Sequence, residues 1–149
     1  MKINAHPIVG TWNLRSFSEL DVRTKAVSYP MGEKPKATVI YTVDGYVATI
    51  FTAAGRVAPA GPRPTDSEAI QLFRTMVAFS GRYEVNDRER MLTYYPEISW
   101  NQAWNATRQI RRFELSADLL TISSAPATSA LVNAETIMTM TWNRMSGAA

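Results

Sequence analysis

Four polar side chains are spaced so that they could work together: Tyr95, Glu97, Gln109 and Arg111. Side chains along an extended strand alternate between two faces, so residues 107, 109, 111, 113 and 115 share one face. Phe113 and Leu115 make that face apolar and assign it to the interior, which sends Arg108, Arg112 and Glu114 to water. Gln109 and Arg111 then point inward. A buried guanidinium is costly without a partner. The preceding strand offers Glu97, with Tyr95 and Thr93 on its face.

Such a cluster could move a proton beside a stabilised anion. Arg111 and Gln109 would hold a carbonyl or carboxylate oxygen, or a developing enolate. Glu97 would serve as general base or acid, and Tyr95 could donate a proton to an oxyanion. The predicted catalytic set is therefore Glu97, Arg111 and Tyr95. Tyr41, Tyr46, Tyr83, Trp100 and Trp104 could supply flat walls for a planar ligand. Gln109, Phe113 and Met138 complete the predicted ligand contacts, the methionine adding an adaptable surface. The alternative is a structural Glu97–Arg111 ion pair in a core that the aromatics simply fill.

Composition removes most other chemistries. The chain has 149 residues, 46% of them hydrophobic, enough for one packed domain over 1–149. There is no cysteine, so disulfide scaffolds, thiolate metal sites and cysteine nucleophiles are excluded. A single histidine, His6, precludes a multi-histidine metal centre, and its local sequence supplies no orienting partner. The net charge of +3 is mild and its basic residues are scattered, which argues against nucleic acid. There is no glycine-rich phosphate loop, zinc spacing or nucleophile elbow, so no cofactor and no metal are expected. No segment reaches the roughly 18 apolar residues of a membrane span. The stretch Met1 to Pro7 has no apolar signal core, and the expected location is cytoplasmic.

The elements that must position these residues are mostly strands. Thr38 to Thr42 and Tyr46 to Phe51 are rich in β-branched and aromatic residues, and Asp44-Gly45 between them suits a tight hairpin turn. Ala53 to Pro64 reads as a loop. Thr65-Asp66-Ser67-Glu68 is a capping box, and Ala69, Ile70, Leu72, Phe73, Met76 and Val77 follow at helical spacing. Further strands are expected at Ile8 to Leu20, Lys25 to Tyr29, Gly81 to Val85, Arg90 to Tyr95, Trp104 to Leu115, Leu119 to Ser123 and Glu135 to Arg144. The tail from Ser146 should fray. About nine strands joined by short connections form an antiparallel sandwich or a closed barrel; pattern alone does not choose.

The chain ends favour the barrel. Gly10-Thr11-Trp12 resembles the G-x-W signature of lipocalins and related calycin barrels, and Arg144 stands where that superfamily places a basic residue across the tryptophan ring. Tyr29 to Glu33, Tyr41 to Tyr46, Phe79 to Val85 and Gln109 to Leu115 resemble, in order, a family of small bacterial and fungal lipocalin-like proteins. The similarity runs from about Ile8 to Arg144. The chain departs from it at Tyr94-Tyr95, where relatives often carry histidines, so a histidine-based acid–base role is not expected.

The resemblance implies an all-β, up-and-down antiparallel barrel of about eight to nine strands with one helix covering the mouth. It also implies a small hydrophobic or aromatic organic ligand in the barrel. The function expected is that of a cofactor-independent isomerase, cyclase or lyase of secondary or aromatic metabolism. The alternative is a non-catalytic hydrophobic-ligand carrier. No membrane or nucleic-acid partner is expected, and a homodimer is left open.

Overall fold

The computed structural model describes residues 5–146. The residues before Ala5 and the end of the tail from Gly147 lie outside them. Ten strands alternate with one α-helix: β1 (Gly10–Asp21), β2 (Val27–Ser28), β3 (Lys36–Tyr41), β4 (Tyr46–Thr52), α1 (Asp66–Arg74), β5 (Met76–Asn86), β6 (Met91–Ser99), β7 (Gln109–Ser116), β8 (Leu119–Ser123), β9 (Ala127–Thr128) and β10 (Glu135–Arg144). The ring runs β1-β3-β4-β5-β6-β7-β8-β10 and closes where β1 pairs with β10, from Trp12 opposite Arg144 to Asp21 opposite Thr136. Closure removes the exposed edges an open sheet would present. The short strands β2 and β9 extend β1 and β10 at one end of the ring.

Local sequence explains several of these elements. The β3–β4 hairpin turns at Asp44-Gly45, where Gly45 has φ +92°. Helix α1 starts as expected: Glu68 donates its backbone N–H to Thr65 Oγ1 (3.3 Å), and Thr65 donates its own to Glu68 Oε1 (2.9 Å). The helix stops at Arg74, however. Met76 and Val77, expected on its apolar stripe, open β5 instead, because β4 captures them opposite Thr52 and Phe51. The strand expected from Trp104 begins only at Gln109. The segment before it makes a 3₁₀ turn at Gln102–Trp104, capped by Asn101.

The two ends of the barrel differ. At the closed end Trp12 is fully buried, and its Nε1 donates to the Ile8 carbonyl at 2.9 Å. The Arg144 guanidinium lies 4.2 Å from the Trp12 ring centroid and donates to the carbonyls of Pro7, Val9 and Ala117. Gly10, at φ +140°, leaves room for that guanidinium; a Cβ there would come within 3.2 Å of Arg144 Nη1. Above this floor Trp142, Leu92, Phe113, Leu120 and Ile122 fill the lower barrel. Arg144→Ala should lower unfolding free energy by about 2 kcal/mol, from the lost stacking and hydrogen bonds. Ligand affinity should not change, since Arg144 is remote from the opposite end. Urea unfolding and a binding titration on one preparation check both.

The other end is open. The loops between β1 and β3, β4 and β5, β6 and β7, and β8 and β10 all gather there. Helix α1 stands at this rim with Ile70 48% and Phe73 47% exposed. It leans on the barrel through Phe73, whose ring centroid is 6.1 Å from that of Trp100. It contributes no side chain to the hollow below.

Candidate functional site

Two single-residue bulges decide which side chains face that hollow. In β1, Leu14 pairs with Trp142 and Ser16 with Thr141, so Arg15 is an extra residue. An inserted residue reverses the alternation beyond it. Trp12 and Leu14 point inward before the bulge; Phe17 and Glu19 point inward after it. In β6, Ser80 pairs with Ile98 but Gly81 with Pro96, which makes Glu97 the extra residue. Leu92, Tyr94 and Pro96 are the inward set of that strand, and Pro96 is well placed because a bulge spares it a ladder donor.

This geometry corrects half of the expected cluster. Gln109 and Arg111 line the hollow. Glu97 is exposed and cannot pair with Arg111 inside the barrel. Tyr95 also points outward, where its hydroxyl donates to Glu84 Oε2 at 3.2 Å. The interior tyrosine is Tyr94, directly opposite Gln109 on β7. Placing Thr93, Tyr95 and Glu97 inside had the wrong parity; the apolar trio Leu92, Tyr94 and Pro96 carried the signal.

The hollow is a chamber of about 440 Å³ at the open end. Phe17, Phe51, Phe79, Trp104, Met138 and Met140 give it apolar walls. Of the other expected ligand contacts, Tyr41 and Tyr83 are buried in the packing beneath, and Phe113 belongs to the filled lower half. Tyr83 donates its hydroxyl to the Thr42 carbonyl at 2.7 Å. Tyr46 is on the outer face under the Arg82 guanidinium. Trp100 stands behind Trp104, ring centroids 4.7 Å apart.

Arg111 is held by neutral groups. Its Nη2 donates to Gln109 Oε1 at 3.1 Å and its Nη1 to the Ile110 carbonyl at 3.0 Å. The Gln109 amide is itself oriented by donating to Thr107 Oγ1 (3.3 Å), which donates on to the Trp104 carbonyl (2.6 Å). No carboxylate pairs with Arg111 among the described residues. Burial pulls the Arg111 pKa below its usual value, partly opposed by nearby Tyr94. A guanidinium has five N–H donors, so most of its capacity stays free for a chamber occupant.

Tyr94 and Tyr41 share a buried hydroxyl–hydroxyl bond of 2.6 Å. Burial pushes the Tyr94 pKa up to about 12, while the Tyr41 bond and the Arg111 charge pull the other way. Tyr41 is raised well above its usual value, first by burial and then by its tyrosine neighbours. Both stay protonated at neutral pH. Folding free energy linked to these protons is complete below pH 10, the ordinary tyrosine value, and is lost as pH rises through the folded-state values. Urea midpoints should therefore hold to about pH 10 and fall steeply above it. The part of the tyrosinate absorbance due to Tyr41 and Tyr94, lost in Tyr→Phe variants of the two, should appear late and together with unfolding.

The chamber lining carries two more charged side chains: Arg108, exposed though expected to face only water, and Glu19, which alternation from Trp12 would have placed outside. Glu19 is 4% exposed and lines the wall. Its two oxygens lie 2.9 and 2.8 Å from Ser129 Oγ. That Oγ accepts the backbone N–H groups of Leu131 (3.0 Å) and Val132 (3.1 Å), so its single proton is directed at Glu19. His6, expected to lack an orienting partner, finds one in Asp87, 2.9 Å from its Nε2. That pair sits beside Phe113 in the filled half, away from the chamber.

Among the described residues no group of three His, Asp or Glu is placed to hold a metal, and no helix is long and apolar enough to cross a membrane. No curated protein and no solved structure matches the chain. A family model described as a lipocalin-like domain matches residues 9–145. That span runs from the floor, with Gly10, Trp12 and Arg144, up to the chamber, and the chain belongs to the lipocalin-like domain family.

Proposed function

We propose that the chamber takes a small, mostly apolar, oxygen-bearing organic molecule and that the protein turns it over without a cofactor, as an isomerase, cyclase or lyase. One observation carries this: a guanidinium, half-buried without a carboxylate partner, faces an apolar chamber of about 440 Å³. Such a group supplies charge-assisted hydrogen bonds to a ligand carbonyl, carboxylate or enolate oxygen. Gln109 positions Arg111, and Tyr94 stays protonated at neutral pH, able to donate to the same oxygen. Phe79 and Trp104 offer flat surfaces to a ring system.

The second reading is a carrier without turnover. It is favoured by Glu97, whose exposed position removes it as the base working beside Arg111. Native mass spectrometry of the protein as purified should reveal a bound organic molecule in the mass range the chamber admits. Incubating that molecule with wild-type protein then separates the two readings. A product of equal mass, or of mass lowered by one small fragment, supports the enzyme. Recovery of unchanged ligand establishes the carrier, and failure of any organic molecule to enter the chamber removes both.

A further inference from the structure

We propose that Glu19 and Ser129 form a second polar subsite of the chamber, one that takes a hydrogen-bond donor of the ligand. The ligand class is then bifunctional: an apolar, ring-bearing molecule with an acceptor oxygen at one end and a hydroxyl or amine at the other. The inference rests on the ligand chamber proposed above and adds what its far wall recognises.

The bonding inventory leads there. A carboxylate offers about four acceptor positions and is costly to bury without donors. Glu19 is buried, yet among the described residues the one side-chain donor it receives is the Ser129 hydroxyl, which has a single proton for two oxygens. No Lys, Arg or His lies within ion-pair distance of it among the described residues. Arg111, half-buried in the same chamber, is equally without a counter-ion, as is exposed Arg108, which also lines it. Between Glu19 and Arg111 lie β10 and β8, the two strands separating β1 from β7 on the short way round the ring. Two opposite charges placed to cancel each other would be in contact; these are separated by an apolar chamber. Each keeps free hydrogen-bonding capacity toward that space, and one molecule spanning it satisfies both.

Ser129 gives the subsite its polarity. With Leu131 and Val132 donating to its oxygen, the hydroxyl cannot turn to accept from a ligand and remain bonded to them. The carboxylate is left as the acceptor, so this wall selects O–H or N–H and repels carboxylate, phosphate and sulfonate. The selection is opposite to that of Arg111, which fixes the direction in which an asymmetric ligand enters. Ala127 to Leu131 form part of the same wall, so filling the subsite also secures the β8–β10 connection over the mouth.

The test uses matched aryl acids of increasing length: para-hydroxybenzoate, a hydroxynaphthoate and a hydroxybiphenyl carboxylate, each against its parent without the hydroxyl. Binding to the full chain is followed by calorimetry and by intrinsic tryptophan fluorescence. The hydroxyl should strengthen binding about tenfold in the pair whose length fits, the usual worth of a hydrogen bond to a charged group. Glu19→Gln, which keeps the shape and an acceptor for Ser129, should shrink that preference to about threefold or less while leaving the parent acid's affinity in place. Ser129→Ala leaves the carboxylate untouched, and the preference should hold or rise. Parent acids that bind with no hydroxyl preference in any pair would leave the chamber reading standing and overturn this one. So would a preference lost in Ser129→Ala, since strap order and not the carboxylate would then be its source. Failure of every acid to bind would remove the chamber reading and this inference with it.

Discussion

Arg111→Met should weaken binding of the chamber's oxygen-bearing ligand by about 50-fold, from the loss of charge-assisted hydrogen bonds worth roughly 2 kcal/mol or more. The same variant should unfold no more readily than wild type. Arg111 is half-buried without a counter-ion, and that partial burial already pulls its pKa down, a sign that its surroundings disfavour its charge. Methionine fills similar space without that desolvation cost, which offsets the hydrogen bonds to Gln109 and Ile110 that are lost. A residue kept at the expense of stability but needed for affinity is the signature of a binding group. Arg112→Met is the control: one position along β7 it faces water, and neither affinity nor stability should move. Calorimetry with the co-purified ligand and urea unfolding read the two quantities. Undiminished affinity in Arg111→Met would end the anchor role.

Gly81→Ala should cost about 3 kcal/mol or more, enough to leave most of the protein unfolded or insoluble. A Cβ at this position would overlap the Tyr95 carbonyl oxygen and come within 3.0 Å of Glu97 N and Pro96 Cα. All three are backbone atoms of the β6 bulge, which cannot step aside as a flexible side chain could. Relief requires that the bulge be expelled. Expulsion would change the β5–β6 register and turn Ser99 and the residues that follow toward the other face. Gly61→Ala, where a Cβ meets nothing within 4 Å, should be indistinguishable from wild type. Thermal unfolding of the two variants side by side checks the difference. A Gly81→Ala protein as stable as wild type would mean that the bulge is not held by this close approach.

The two predictions show what kind of information each residue carried. For β7, alternation alone was enough: Phe113 and Leu115 named the inner face, and Gln109 and Arg111 followed from parity along an unbroken strand. The Asp44-Gly45 hairpin, the Thr65–Glu68 capping box and the meeting of Trp12 with Arg144 were also legible, since each is set by local backbone chemistry or by a short motif. Absence of cysteine and the single histidine bounded the chemistry before any fold was known.

Bulges and strand capture lay beyond that reach. Whether Arg15 and Glu97 are paired or extruded depends on partners far along the chain, Trp142 and Thr141 for one and Gly81 for the other. Each extruded residue reverses parity for everything beyond it: the Arg15 bulge brought Glu19 into the barrel's interior, whereas Glu97 was already outward by alternation with Leu92, Tyr94 and Pro96. Met76 and Val77 fit a helix by period, but β4 offers them a ladder and removes them from α1. Composition and period thus determined an antiparallel β-protein with an arginine on an inner strand face, and the motifs at the chain ends favoured the barrel. The long-range pairing decided which carboxylate shares the chamber with that arginine, because a period-of-two pattern holds no record of where an extra residue is inserted.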